Sequence, residues 1–203
     1  MPSSTSCSKA RSHAARRSSP RVVAGLGVIP RIVRDGAEIY RARLSTREAE
    51  ERLAKLYRPY HAALAQLIEE TRARFGLAVL IDCHSMPSAA AAPDVVLGDR
   101  YGIAAAPALM RAAERAFETH GFSVARNSPY AGGYTTHLYG RPARGVHALQ
   151  VEINRALYLD EERVARSPKF ALVQARIAAV LGELVAIDGA SLRGSQPVQH
   201  AAE

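Results

Sequence analysis

LAVLID, residues 77–82, follows Gly76 directly and runs apolar up to its closing acid. A short apolar run without polar alternation reads as a strand buried on both faces. Downstream, residues 104–120 repeat at helical spacing, and Gly121 stands where a helix ends on a left-handed residue. FSVAR (122–126) is the next expected strand. HALQVEIN (147–154) alternates and then turns apolar, which predicts another. A last helix is expected over residues 169–187.

Upstream, Ser45 and Glu48 have the spacing of a capping box, so a helix should start there and run to about residue 74. Leu53, Leu56, Tyr57, Tyr60, Leu64, Leu67 and Ile68 form its apolar stripe, expected to be buried. Pro59 should kink or interrupt it. Before it, RVVAGLGVIPRIV (21–33) is a loop punctuated by Gly25, Gly27 and Pro30; its Gly-x-Gly is too short for a dinucleotide fingerprint. Strands alternating with helices predict a layered α/β sheet, whose ligands gather at the carboxyl ends of the strands.

That rule directs attention to three places. His84 follows LAVLID, where a neutral imidazole could ligate a metal with a neighbouring carboxylate orienting it; a loop or capping histidine is the alternative. Glu152 lies in an otherwise apolar strand, where burial would raise its pKa and suit it to general base work; an ion pair with Arg155 is the alternative. NSPYAGGYTTHLYG (127–140) combines glycines that let backbone approach a ligand with hydroxyls that could orient it; a tight connection is the alternative.

The chain has 203 residues, 48% of them hydrophobic, enough for one domain with a real core. No stretch reaches the ~20 apolar residues of a membrane span. Cys7 and Cys83 suggest reduced thiols and a cytoplasmic setting rather than a disulfide scaffold. The formal net charge is +8. Lys9, Arg11, Arg16, Arg17 and Arg21 supply much of it, and no basic stripe interleaved with aromatics appears, which argues against a nucleic-acid partner. Residues 1–20, rich in Ser, Ala and Arg, are expected to be a disordered basic tail. The domain should occupy residues 21–187, with a disordered tail over 188–203.

FGLAVLIDCHSMPS (75–88), PDVVLGDRYG (93–102), NSPYAGGYTTHLYG and GVHALQVEINRALYLDE (145–161) together resemble the N-formylglutamate amidohydrolase family, in its order and spacing. GAEIYRARLS (36–45) and LYRPYH (56–61) extend the resemblance, which covers residues 21–187. It implies a three-layer α/β/α sandwich with a mixed, largely parallel sheet, resembling zinc carboxypeptidases. It also implies zinc-dependent hydrolysis of the amide of an N-acyl amino acid, N-formyl-L-glutamate giving formate and L-glutamate. By that resemblance His84 is a zinc ligand, and Glu152 deprotonates the attacking water and later protonates the leaving amine. Asn127, Tyr130, Gly133, Tyr134 and Thr135 would line the substrate pocket, and Arg155 would anchor a substrate carboxylate bidentately.

One departure stands out. Family members open with a Pro-His-Ser-Gly-like motif and a following acid, which resemble two further metal ligands, and nothing before Val22 matches it. The sequence therefore offers one convincing ligand, with Asp82, His137 and His147 as possible replacements. Low activity of the chain by itself is expected, and a non-catalytic fold that binds an acidic small molecule is the alternative function.

Overall fold

The computed structural model describes residues 25, 27–33, 36–88 and 92–193. The tail expected over residues 1–20 lies outside them. The chain divides into two compact units, Met1–Tyr60 and His61–Glu203.

In the first unit, an antiparallel bridge joins Ile32 to Glu38 across a turn at Gly36. Ser45 then caps α1 (Thr46–Arg52), and the capping box is complete: Ser45 Oγ accepts from the Glu48 amide while Glu48 accepts from the Ser45 amide. Leu53–Tyr57 form a π-helical turn, in which the Arg58 amide reaches back to the Leu53 carbonyl. Pro59 follows at once. It has no N–H to give the Lys55 carbonyl, so the ladder is already broken at the place where the helix widens. α2 (Arg58–Phe75) continues beyond it.

The expected burial of the stripe is not found. No residue of α1, the π turn or α2 is buried, and Leu56 and Leu67 are 71% and 60% exposed. Periodicity specifies a helix with an apolar face; it does not by itself supply the surface that covers that face.

The second unit is built on a four-stranded sheet of order β1-β4-β2-β3. Its strands are β1 (Ala78–Met86), β2 (Val95–Gly98), β3 (Val124–Arg126) and β4 (Val146–Asn154). β1 and β4 are parallel, β4 and β2 antiparallel, β2 and β3 parallel. The sheet is thus mixed and mainly parallel. Among the described residues β1 has one neighbour, β4, and it is not the doubly buried strand expected: Val79, Cys83 and His84 are exposed. β4 lies between two neighbours and is buried along almost its whole length.

Side chains alternate across the sheet, so register assigns the faces. Ile81, Val95, Leu97, Leu149, Val151 and Ile153 share one face. They join a core with Leu109, Met110, Ala113 and Phe117 of α3 (Pro107–Thr119) and Val173, Val180 and Leu184 of α5 (Phe170–Val185). α3 ends as its sequence predicts. Gly121 takes φ 78°, its amide bonds the Glu118 carbonyl, and the Phe122 amide bonds that of Phe117. The Phe117 and Phe122 rings meet edge to face at 5.8 Å, the apolar contact that closes such an ending.

The chain also stays ordered past Ile187. Asp188 caps a 3-10 turn, Gly189–Leu192, and Leu192 is buried in the core, so residues 188–193 pack rather than fray. Residues 194–203 lie outside those described. No helix among the described residues is long and apolar enough to cross a membrane.

Candidate functional site

The other sheet face carries a group of polar side chains among apolar ones. His84 and Glu152 are register partners on parallel strands, as are Asp82 and Gln150, while Glu152 also pairs with Val96 and Gln150 with Gly98. Partners in register point to the same side of a sheet, so Asp82, His84, Gln150 and Glu152 share one surface. His84 is not past the strand but inside it. β1 continues to Met86 because Cys83–Met86 find partners in Val151–Asn154.

Glu152 is buried, and its Oε1 accepts from Gln150 Nε2 at 2.7 Å. Burial pushes its carboxyl above the ordinary value, against the opposing pull of His84 and of the Gln150 hydrogen bond. Asp82 adds a smaller push upward. A carboxyl so placed holds a proton more readily than an exposed one, which is what a group that must take up and return a proton requires.

Asp82 Oδ2 lies 3.0 Å from His84 Nε2, yet this buried oxygen accepts no hydrogen bond. An orphaned carboxylate oxygen facing an imidazole nitrogen supplies two donors for a cation. A catalytic zinc takes three protein ligands and a water. Among the described residues no group of three or more His, Cys, Asp or Glu side chains is placed to hold a metal. These residues therefore do not make a zinc site by themselves. His147 cannot join, since it points to the helix-covered face and its Nδ1 accepts from the Ala106 amide at 3.1 Å. His137 is exposed on α4 (Tyr134–Tyr139), the short helix into which the second half of the glycine loop folds.

The glycine loop lies flat against this part of the sheet. A Cβ on Gly98 would sit 2.7 Å from the Ala131 carbonyl carbon and the Gly132 nitrogen, so only glycine lets the loop backbone pass. Gly132 takes φ 124°, and a Cβ there would lie 2.6 Å from Thr136 Oγ1. The Gly133 amide donates to Gln150 Oε1, and Thr136 Oγ1 donates to the Gly133 carbonyl at 2.8 Å. Tyr130 and Thr135 are half-buried in this segment, and Tyr134 meets the His61 ring edge to face at 5.6 Å.

Two expected substrate contacts are otherwise engaged. Asn127, at φ 57°, accepts from the amides of Asp99 and Tyr101 and donates to Asp99 Oδ1 at 2.9 Å. Its side chain thus staples the turn at residues 99–102. Arg155 donates to Glu161 Oε1 at 3.1 Å and to Ser85 Oγ at 3.2 Å, so its ion pair is with Glu161 rather than Glu152.

Gln150 was not among the expected site residues. The signal was present in QVE: a second polar side chain two positions before Glu152, in the same phase of a strand.

The sequence profile of the N-formylglutamate amidohydrolase family matches residues 10–159. N-formylglutamate deformylases of Pseudomonas aeruginosa and Pseudomonas putida are 35% and 33% identical over 146 and 147 residues. These alignments cover 67% and 66% of this chain and 54% of each relative, so the chain spans about half the length of the curated relatives it matches. The crystal structure of N-formylglutamate amidohydrolase from Ralstonia eutropha JMP134 is similar at a TM-score of 0.75 and 34% identity, over 86% of this chain and 64% of that one. A gene product of Agrobacterium tumefaciens shares the fold at a TM-score of 0.54 and 21% identity. Since the matched segment runs through His84, the glycine loop and Glu152, the chain belongs to the N-formylglutamate amidohydrolase family.

Proposed function

We propose that this chain carries the proton-transfer half of a site that hydrolyses the amide of an N-acyl amino acid, with N-formyl-L-glutamate as substrate. The observation that carries the reading is Glu152: a buried carboxyl, raised in pKa, across the register from His84 and inside the segment matched to the family. Water adds to the formyl carbon as Glu152 accepts its proton. The carbon–nitrogen bond then breaks as Glu152 returns that proton to the departing amine, and formate and L-glutamate leave. Glu152 ends as it began. In this reading Tyr134 and Thr135, on the short helix that follows the glycines, supply hydroxyls that orient the substrate.

The test is formate release from N-formyl-L-glutamate by the full chain and by Glu152→Gln. The amide keeps the shape but cannot take up the proton, so kcat should fall roughly 10²–10⁴-fold. Equal rates in the two proteins would remove Glu152 from the chemistry, and faster turnover of another N-acyl amino acid than of N-formyl-L-glutamate would overturn the substrate.

A further inference from the structure

We infer that Gln150 is a positioning residue, one amide that ties the glycine loop to the carboxylate of Glu152. The inference rests on the proposed role of Glu152. Its geometric part stands independently. The Gly133 N–H can only donate, so the group it meets on Gln150 must be the carbonyl oxygen. That fixes the orientation of the side-chain amide. Nε2 must then face Glu152, where it donates to Oε1 at 2.7 Å.

Three consequences follow from this chain of bonds. Glu152 Oε1 is occupied, which leaves Oε2 as the oxygen free to meet a water. The donor steadies a carboxylate that burial would otherwise disfavour. And the loop cannot shift at Gly133 without moving Gln150. A Cβ at Gly133 would stand 2.9 Å from Gln150 Oε1, so glycine is what permits so close an approach. Gly98 and Gly132 hold the same segment against the sheet. A shift of the loop at Gly133 is thereby transmitted through Gln150 to the carboxylate of Glu152.

Two substitutions separate the two bonds. Gln150→Glu keeps an acceptor for the Gly133 N–H but places a second carboxyl beside Glu152. Gln150→Leu removes both bonds. In the full chain, kcat for formate release should fall roughly 10–100-fold in each, the value of a hydrogen bond to a charged group. KM should rise in Gln150→Leu alone. Hydrogen exchange at the Gly133 amide should stay slow in Gln150→Glu and quicken at least tenfold in Gln150→Leu, while Val151 is unchanged. Damage to the fold as a whole would instead quicken both amides. Wild-type kcat in Gln150→Leu, or an unaltered Gly133 amide, overturns the assignment. If no variant and no wild-type sample releases formate, the activity is the low one expected of the chain by itself. The link is then decided by the Gln150 side-chain amide protons, which should exchange slowly in the wild type and quickly in Glu152→Ala. Fast exchange in both sinks it.

Discussion

Along β4, His147, Leu149 and Val151 point toward α3 and α5, while Gln150, Glu152 and Asn154 point the other way, and all six are buried. The helix side holds a single polar group, His147, met by the amide of Ala106; burial pushes it toward the neutral form. On the loop side three polar side chains stand in one phase, and each has a partner. Gln150 joins Gly133 to Glu152, and Asn154 Oδ1 accepts from the Ala156 amide at 3.0 Å. A buried polar group is costly unless bonded, so a run of three is tolerated only where a loop supplies the missing donors and acceptors. One face therefore gains stability from apolar area, and the other spends part of it on a polar network. The two faces should answer differently to substitution.

The largest stability effect is expected on the helix side. Leu149 is fully buried in the core, and Leu149→Ala should cost about 2–5 kcal/mol by urea denaturation while folded molecules keep their kcat. A cost under about 1 kcal/mol would show that this face is not the principal core. On the loop side, Gly98→Ala inserts a methyl where backbone atoms stand 2.7 Å away. The loop must lift, at about 1–3 kcal/mol. Here kcat should drop as well, because Gly133 is carried off Gln150. A stable Gly98→Ala with unchanged turnover would dissolve the distinction between the faces.

What the sequence disclosed was local. The Ser45–Glu48 box and the Gly121 ending are each decided within a few residues, and both were legible. β2 was not, since three apolar residues between Asp94 and Gly98 carry no period. The depth of β1 was misjudged because pairing order, set by distant segments, decides how many neighbours a strand has. The same pairing extends β1 through His84, which the apolar run alone ends at Asp82. His84 and Glu152 were legible as chemical types, and register now places them side by side. Asn127 is expected in the pocket by the resemblance; its hydrogen bonds to residues 99–102 could not be foreseen, since they are fixed only by the left-handed turn that brings those residues beside it.

The smallest effect expected is a pH dependence, and it isolates the helix side. His147 is 1% exposed, and its Nδ1 is an acceptor, so the folded ring is neutral there and its pKa lies below the ordinary 6.5. The unfolded chain binds a proton on this residue at a pH where the folded chain does not. Stability therefore rises with pH through that window. The contribution is complete above pH 6.5 and is lost as pH falls from there toward the lower folded value. Protonation would also turn Nδ1 into a second donor facing the Ala106 N–H. Its register partner on β1, Val79, and Ala106, whose amide it meets, carry no charge to offset a protonated ring. The chain holds other histidines, among them His120, which meets Glu183 at 2.8 Å, so the wild-type curve alone does not single out His147. His147→Asn does. Its side-chain oxygen can replace Nδ1 as acceptor without titrating. Urea midpoints measured from pH 7.5 to pH 5 should fall less steeply in His147→Asn than in the wild type. Parallel curves would mean that His147 charges freely in the folded state, and that the helix side of β4 admits water after all.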